Sequence, residues 1–558
     1  MFVNFKKLFE PIEVGKKIVK NRICLPAMCM NFAGPNGEVT EPDVAYFAAR
    51  TRGGAGLITI DYACISPEGR GMPGQRGIWD DKFIPGLARL ADVIKASGAT
   101  ANIQIHHAGF NSMTGEVVGP SRLSNQYYFI SKPRELSTEE VEQLVEKFAN
   151  AALRAKMAGI DMVEVHGTHG YLVCQFLSPL TNRRTDKYGR DRGLFASEIV
   201  EAIKKRCGED YPVIFRLCAD EFMDGGITLD SAKEVAKRLE DVGLDMLNVT
   251  GGNFDTIYYP APTMYVEGEE GEAYYRFIRL ASEIKKIVSI PVCSGGLILD
   301  PEIAEKAIEK GMVDMVFIGR QLIADPDWPR KVMSGKLDDI RPCIACNDGC
   351  VNEIFSYRTG KCTVNPLVGF ESKYGSEEEL PTASEKKKIL VIGSGPGGLE
   401  SARIAAIRGH EVLIVEKSDR IGGTLNVASA PTFKRRLKRL IDWYGTQLKK
   451  LGIQIIFNTE GTMKLIEKEN PDVVIIATGS EPSIPNIPGI EGAITADDLL
   501  LGKRDVGNDV IIMGAGLVGC ETALHLAKQG KKVTVVETLP EAAKDMEITS
   551  KIFFTDPR

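Results

Sequence analysis

The stretch MVEVHGTHGYL, residues 162–172, carries the most information in the chain. Its first half is a short, largely β-branched apolar run of the kind that forms a buried strand. Its second half brings His166, His169 and Tyr171 together within six residues, where that strand must end. Reactive side chains that gather just past a buried strand are characteristic of parallel α/β sheets. On either side the pattern recurs, with strands expected at Ile23–Pro26, Gly56–Ile60, Ala101–His106, Met162–His166, Val213–Leu217, Met246–Thr250, Pro291–Ser294 and Met315–Ile318. Amphipathic stretches such as Thr138–Met157, Ser231–Val242 and Glu302–Glu309 lie between them. Eight strands each followed by a helix predict an α/β fold that begins with a (β/α)8 TIM barrel; an open doubly wound sheet is the alternative.

A barrel requires its reactive residues to sit at strand ends, and they do. Cys29 follows the first strand, Gln104 lies near the end of the third and Arg216 near the end of the fifth. Ser294-Gly295-Gly296 follows the seventh, and Gly319-Arg320 the eighth. Barrels commonly bind phosphate after strands seven and eight. Glycines let backbone N–H groups approach an anion and arginine adds charge-assisted hydrogen bonds, so Gly295, Gly296, Gly319 and Arg320 suit the phosphate of a flavin mononucleotide. Arg216 is placed to stabilise an anionic reduced flavin, and the Gln104 amide to pair with its pyrimidine edge. His166 and His169 can hold a carbonyl or carboxylate that activates an alkene, and Tyr171 can supply a proton. Paired histidines are also often plain packing.

The chain has 558 residues, 44% hydrophobic and 26% charged, which predicts two or three soluble globular units. A formal charge of −6 without a long basic run argues against nucleic acid as a partner. The opening MFVNFKKLFEPIEVGKK lacks the apolar core of a secretory signal, and no apolar run is long enough for a bilayer. A cytoplasmic protein with a small-molecule substrate, no membrane partner and a homo-oligomeric state is the expectation. Eight of the twelve cysteines are scattered singly, as small buried hydrophobes. The other four form a pattern: Cys343, Cys346 and Cys350 make C-x2-C-x3-C, and Cys362 follows. Four convergent thiolates suit a [4Fe–4S] cluster, with zinc the competing metal; flavin sites on both sides favour the redox reading.

Residues 368–388 are polar and aperiodic, and read as a linker. Beyond it, ILVIGSGPGG places Gly393, Gly395 and Gly398 between a strand and a helix, with Glu416 ending the next strand. DVIIMGAGLVGCE repeats this at Gly514, Gly516 and Gly519, with Glu537 as the acid. Strand, glycines, helix and terminal acid together form a dinucleotide fingerprint, and an acid at that place favours NADH over NADPH. The expected organisation is therefore a barrel over residues 1–340, a cluster segment at 341–367, the linker at 368–388, a nucleotide domain at 389–500 and the start of a second at 501–558.

IVKNRICLPAM, HGTHGYLVCQFLSPLTNRRTDKYG and VFIGRQLIADPDW resemble the flavin-dependent ene-reductases of the old yellow enzyme family across nearly the whole barrel. The resemblance implies FMN, Tyr171 as proton donor, and His166 with His169 as the pair that holds the activating group. It also places Ala27, Met28, Cys29 and Ala63 at the flavin, while Asn182–Gly189 is assigned mainly to structure. The cysteine segment resembles the [4Fe–4S] site of the larger branch, which includes 2,4-dienoyl-CoA reductase, 2-enoate reductase and trimethylamine dehydrogenase. VVIIATGSEP resembles the crossing segment of two-dinucleotide flavoprotein reductases, which implies FAD in the first fingerprint and NADH in the second. The chain ends at Arg558, soon after the second acid, so most of the NADH fold and the returning FAD segment are expected to be missing; such a chain is a fragment or draws electrons from another protein. The leading expectation is NADH-dependent reduction of an α,β-unsaturated acid, thioester or enone, with the loop TGGNFDTIYYPAPTMY after strand six shaping the pocket. The competing readings are an amine dehydrogenase with flavin linked to Cys29, and an electron-transfer module that turns over no small substrate.

Overall fold

The computed structural model describes residues 5–113, 117–123, 133–265, 272–544 and 546–555. Two compact units emerge: residues 1–263, 267–337 and 346–375 form the first, and residues 264–266, 338–345 and 376–558 the second.

The first unit is built on a closed barrel of eight strands in sequential order, all parallel. They are β1 (Ile23–Leu25), β2 (Leu57–Cys64), β3 (Thr100–His106), β4 (Met162–Gly167), β5 (Val213–Cys218), β6 (Met246–Thr250), β7 (Val292–Ser294) and β8 (Met315–Phe317). Every residue of these strands is buried, which explains their near-continuous apolar runs: helices cover the outside and side chains fill the inside. Thr138–Met157 shows how such a helix is specified. Ser137 and Glu140 form a capping box at its start, and Val141, Leu144, Phe148, Ala152 and Ala155 bury one face.

Ahead of the barrel, Ile12–Val14 and Lys17–Val19 form an antiparallel hairpin turned at Gly15, whose φ is +56°. Val14 and Val19 are fully buried among Cys24, Leu57, Met162, Ile214, Met246, Cys293 and Met315, so this hairpin plugs the amino-terminal end of the barrel. An opening into the barrel is thereby left only at the opposite end, among the described residues. The polar segment 368–388 is mostly exposed but is anchored near its start. Its Glu371 accepts a 2.7 Å hydrogen bond from Arg50, and both side chains are buried. The division between the two units falls inside it, after Gly375.

The second unit holds a four-stranded parallel sheet in the order β11-β10-β9-β12, from Lys388–Ile392 (β9), Glu411–Val415 (β10), Gln454–Ile456 (β11) and Val473–Ile476 (β12). A separate parallel pair follows, Asp509–Met513 (β13) and Lys532–Val536 (β14). On this pair Ile511 is 71% exposed and Met513 55%, whereas the strands of the first sheet bury Leu390, Val391 and Ile414 almost completely. Among the described residues no helix is long and apolar enough to cross a membrane.

Candidate active site

A cavity of about 280 Å³ opens where the barrel strands end. Ala27, Met28, Cys29, Gln104, His166, His169, Tyr171, Arg216, Gly296, Gly319 and Arg320 all line it, residues spread over almost three hundred positions of sequence. The fourth strand and its turn supply the reactive group. His166 is the penultimate residue of β4 and pairs in register with Arg216 of β5. The chain then reverses through two left-handed residues, His169 with φ +58° and Gly170 with φ +73°. A left-handed backbone is unfavourable for histidine by about 1 kcal/mol or more and is kept where surrounding contacts enforce it. Here Asn111 and Gln175 both donate to the Gly170 carbonyl, at 2.8 and 2.7 Å. The turn brings the His166 and His169 rings to 5.4 Å, and His166 and Tyr171 to 5.0 Å, between centroids.

The electrostatics follow from burial. Desolvation, then the neighbouring histidines and Arg216, hold His166 well below the usual imidazole range; desolvation and Arg216 do the same for His169. Both rings are therefore neutral at physiological pH. His166 Nδ1 and His169 Nε2 are buried with no hydrogen-bond partner, as is Arg216 Nε. Orphaned polar atoms cost about 1–3 kcal/mol each, so their clustering in residues that line one cavity marks a place for a polar ligand. Burial pushes the Tyr171 hydroxyl well above its ordinary value, which keeps it protonated. The Cys29 thiol is pushed up to about 11 by burial, although a hydrogen bond from Tyr62 opposes the shift.

Under the cavity lies a polar layer inside the barrel. Glu164 of β4 accepts from Gln104 Nε2 at 2.6 Å on one carboxylate oxygen and from Asn248 Nδ2 at 2.7 Å on the other. Burial raises its pKa, while Arg216 and the two amides act the other way.

Several residues of this site are not apparent from the sequence. A register shift in β2 between Ile60 and Ala63 accommodates Asp61 and Tyr62, and Tyr62 reaches the cavity wall 6.1 Å from the Tyr171 ring. His106 packs edge-on against Tyr171 at 4.4 Å, and Phe254 from the loop after β6 does so at 5.6 Å. An aromatic-rich loop was the available signal for Phe254; nothing local announces a bulge. Ala63 and Gly295 stand outside the cavity wall. Ala63 is fully buried just past the bulge, and a Cβ on Gly295 would come within 2.3 Å of the Phe317 carbonyl, so close strand packing accounts for that glycine. Gly319 does line the cavity, where its missing Cβ leaves room for the Met28 sulfur. Arg320 donates to the Pro262 carbonyl at 2.7 Å and to Asn347.

In the cysteine segment, Ala345 and Asn347 are left-handed and Asp348–Asn352 forms a wide helical turn. Lys361 N donates to the Gly349 carbonyl at 2.7 Å, and a Cβ on Gly349 would lie 3.1 Å from the Cys362 backbone, so Cys350 and Cys362 stand on abutting strands of chain. Cys346 Sγ is 3.3 Å from Thr363 Oγ1, beside Cys362. Among the described residues no three His, Cys, Asp or Glu side chains are already gathered around a metal position. The donor chemistry, thiols on adjoining backbone, fits an iron–sulfur cluster.

In the second unit, Gly393 follows β9 with φ +103°, and Gly395 caps the helix Pro396–Ile407 with open space where a Cβ would stand. A Cβ on Gly398 would meet the Gly393 carbonyl at 2.0 Å, and one on Gly519 the Gly514 carbonyl at 1.9 Å, the close strand–helix contact of a nucleotide-binding turn. Gly516 caps Leu517–Lys528 with the same open space. The acids close these loops: Glu416 accepts from Ser394 N at 2.8 Å, and Glu537 from Ala515 N at 2.6 Å.

A parallel eight-stranded barrel with this cavity, followed by a glycine-loop parallel sheet, defines a two-part flavin oxidoreductase. The model of the NADH:flavin oxidoreductase / NADH oxidase family matches residues 7–339, and that of the pyridine nucleotide-disulphide oxidoreductases matches 359–470 and 446–552. The chain belongs to the NADH:flavin oxidoreductase / NADH oxidase family and is an oxidoreductase of the old yellow enzyme type. It is 42% identical to an NADH oxidase of Thermoanaerobacter brockii over 98% of this chain and 85% of that protein. It is 37% identical to a cinnamate reductase of Clostridium sporogenes over 96% of this chain and 83% of that one. A solved 2-naphthoyl-CoA reductase in complex with 2-naphthoyl-CoA superposes with a TM-score of 0.92 at 35% identity, covering 99% of this chain and 86% of that chain.

Proposed function

We propose that this protein reduces the activated carbon–carbon double bond of an unsaturated acid, acyl thioester or enone, with NADH as the source of electrons. The observation that carries the reading is the pair of neutral, buried imidazoles with unpartnered nitrogens, set beside a protonated tyrosine in one cavity. Neutral imidazole N–H groups from His166 and His169 hold the carbonyl or carboxylate oxygen of the substrate and draw charge from the alkene. Ala27, Met28, Gln104 and Arg216, which line the cavity, would hold FMN, and the flavin would supply the hydride-transfer chemistry for the β-carbon. Tyr171 gives its hydroxyl proton to the α-carbon; its raised pKa keeps that proton in place until carbanion character develops there. Phe254 and Tyr62, which flank Tyr171, restrict water. Cys343, Cys346, Cys350 and Cys362 would hold a [4Fe–4S] cluster that passes single electrons, and the two glycine loops FAD and NADH. The relatives named for cinnamate and 2-naphthoyl-CoA support an unsaturated acyl substrate.

Replacing Tyr171 with phenylalanine tests the assignment. Reoxidation of the reduced flavin by a cinnamate-like acid should slow by about 10²–10⁴-fold, while flavin reduction is retained. An unchanged reoxidation rate would overturn the role of Tyr171.

A further inference from the structure

The geometry points to Glu164 as a positioning residue that fixes the hydrogen-bond polarity of Gln104 at the cavity floor, so that the floor selects a ring edge bearing an N–H. The inference rests on the reading of a flavin in the barrel and goes one residue deeper than the cavity wall.

Gln104 ends its side chain at the cavity, and its register partner across the strand pair is Glu164. Gln104 Nε2 donates to Glu164 Oε1 at 2.6 Å. A carboxylate only accepts hydrogen bonds, whereas a primary amide has a donating and an accepting end. Turning the Gln104 amide over would set its oxygen against the carboxylate oxygen, two acceptors in contact without a proton between them. The carboxylate cannot swing aside to relieve this, because Asn248 Nδ2 from β6 holds its other oxygen at 2.7 Å. Water does not compete, since Glu164 is 1% exposed and Asn248 likewise. Burial works against ionisation of Glu164; Arg216, in register with Asn248 on the neighbouring strand, acts the other way together with the Asn248 and Gln104 amides, all of which favour the ionised acid. With its N–H2 end committed downward, Gln104 offers its carbonyl oxygen to the cavity. The complementary ligand edge is an imide, N–H between two carbonyls, as in the pyrimidine ring of a flavin.

A purely structural Glu164 and a positioning Glu164 make different predictions. The isosteric change Glu164→Gln replaces one acceptor by a donor and permits Gln104 to invert. Binding of FMN and of its N3-methyl analogue, which lacks the imide N–H, would be measured by flavin fluorescence on the full chain. The wild-type protein should prefer FMN, and E164Q should reduce that preference by about three- to tenfold, the worth of one neutral hydrogen bond. The exchange variant Q104E/E164Q restores an acceptor at the cavity floor and should recover the preference, even if E164Q alone folds poorly. A preference for FMN that is the same in wild type, E164Q and the exchange variant overturns the inference. Failure of the wild-type protein to bind FMN at all overturns the flavin reading and this inference with it.

Discussion

His166 and His169 show how much a single position depends on its surroundings. In water either imidazole would titrate near pH 6.5. Here both are held well below that by burial, with Arg216 reinforcing the effect. Each would have to take up a proton inside the cavity, so the neutral form persists through neutral pH. The rate of alkene-driven flavin reoxidation should accordingly show no imidazole inflection at or above pH 6.5; its acid limb should lie lower. A stopped-flow pH profile with an inflection near 6.5 would show that the rings are more hydrated than the structure indicates. The identity of these residues was legible from the spacing of MVEVHGTHGYL, but their protonation state was not. That state depends on Arg216 and His106, fifty and sixty residues away in sequence, which pack against them in space.

Local elements divide into those specified by neighbouring residues and those that lean on distant ones. The segment Asn182–Gly189 belongs mainly to the first kind, although Thr138 Oγ1 also donates to Asp186 at 2.8 Å and Arg184 to the Pro120 carbonyl at 3.0 Å. Asp186 caps the short helix Lys187–Arg190 through Tyr188 N and Gly189 N and pairs with Arg184 at 2.6 Å. Asn182 Nδ2 holds the carbonyls of Phe176 and Tyr188 at 2.7 and 2.8 Å. The segment buttresses the helix that follows Tyr171 and contributes no residue to the cavity wall. Hydrogen bonds, from Arg184 above all, lower the Asp186 carboxyl to about 2. Because the folded value lies below the unfolded one, its stabilisation is present above about pH 4 and fades as pH falls toward 2. Asp186→Ala should lower stability by about 1–2 kcal/mol at neutral pH, and the difference from wild type should shrink in acid, as chemical denaturation at several pH values would show. The β2 bulge is of the second kind. The strand expected over Gly56–Ile60 runs on to Cys64, and only the pairing of Ala63 with Ile105 reveals that Asp61 and Tyr62 are displaced from the ladder. A bulge is decided by two strands together, so one strand's sequence does not announce it.

For the molecule as a whole, the proposed function divides the chemistry between a barrel that would hold the reacting groups and a cysteine segment and nucleotide-binding loops that would deliver electrons. Changing Cys350 and Cys362 to serine together should abolish bound iron, about four atoms per chain in the parent protein, while the FMN absorbance of the barrel survives. Zinc in place of iron in the parent protein, measured by metal analysis, would refute the cluster. Cysteine spacing, glycine fingerprints and the eight buried strands were all visible along the chain, because each is a relation among residues a few positions apart. The strand ends loaded with Cys29, Gln104, His166, Arg216 and Arg320 were visible for the same reason, since periodicity shows where a strand stops. The polar layer of Gln104, Glu164 and Asn248 was not. Its hydrogen bonds join residues 60 and 84 positions apart, and they exist because barrel closure brings inward-facing positions of different strands to one level. The sequence thus carried the residues that line the cavity and the fold that presents them. Folding decided which atoms of those residues face the cavity, since that depends on partners that meet only when the barrel closes.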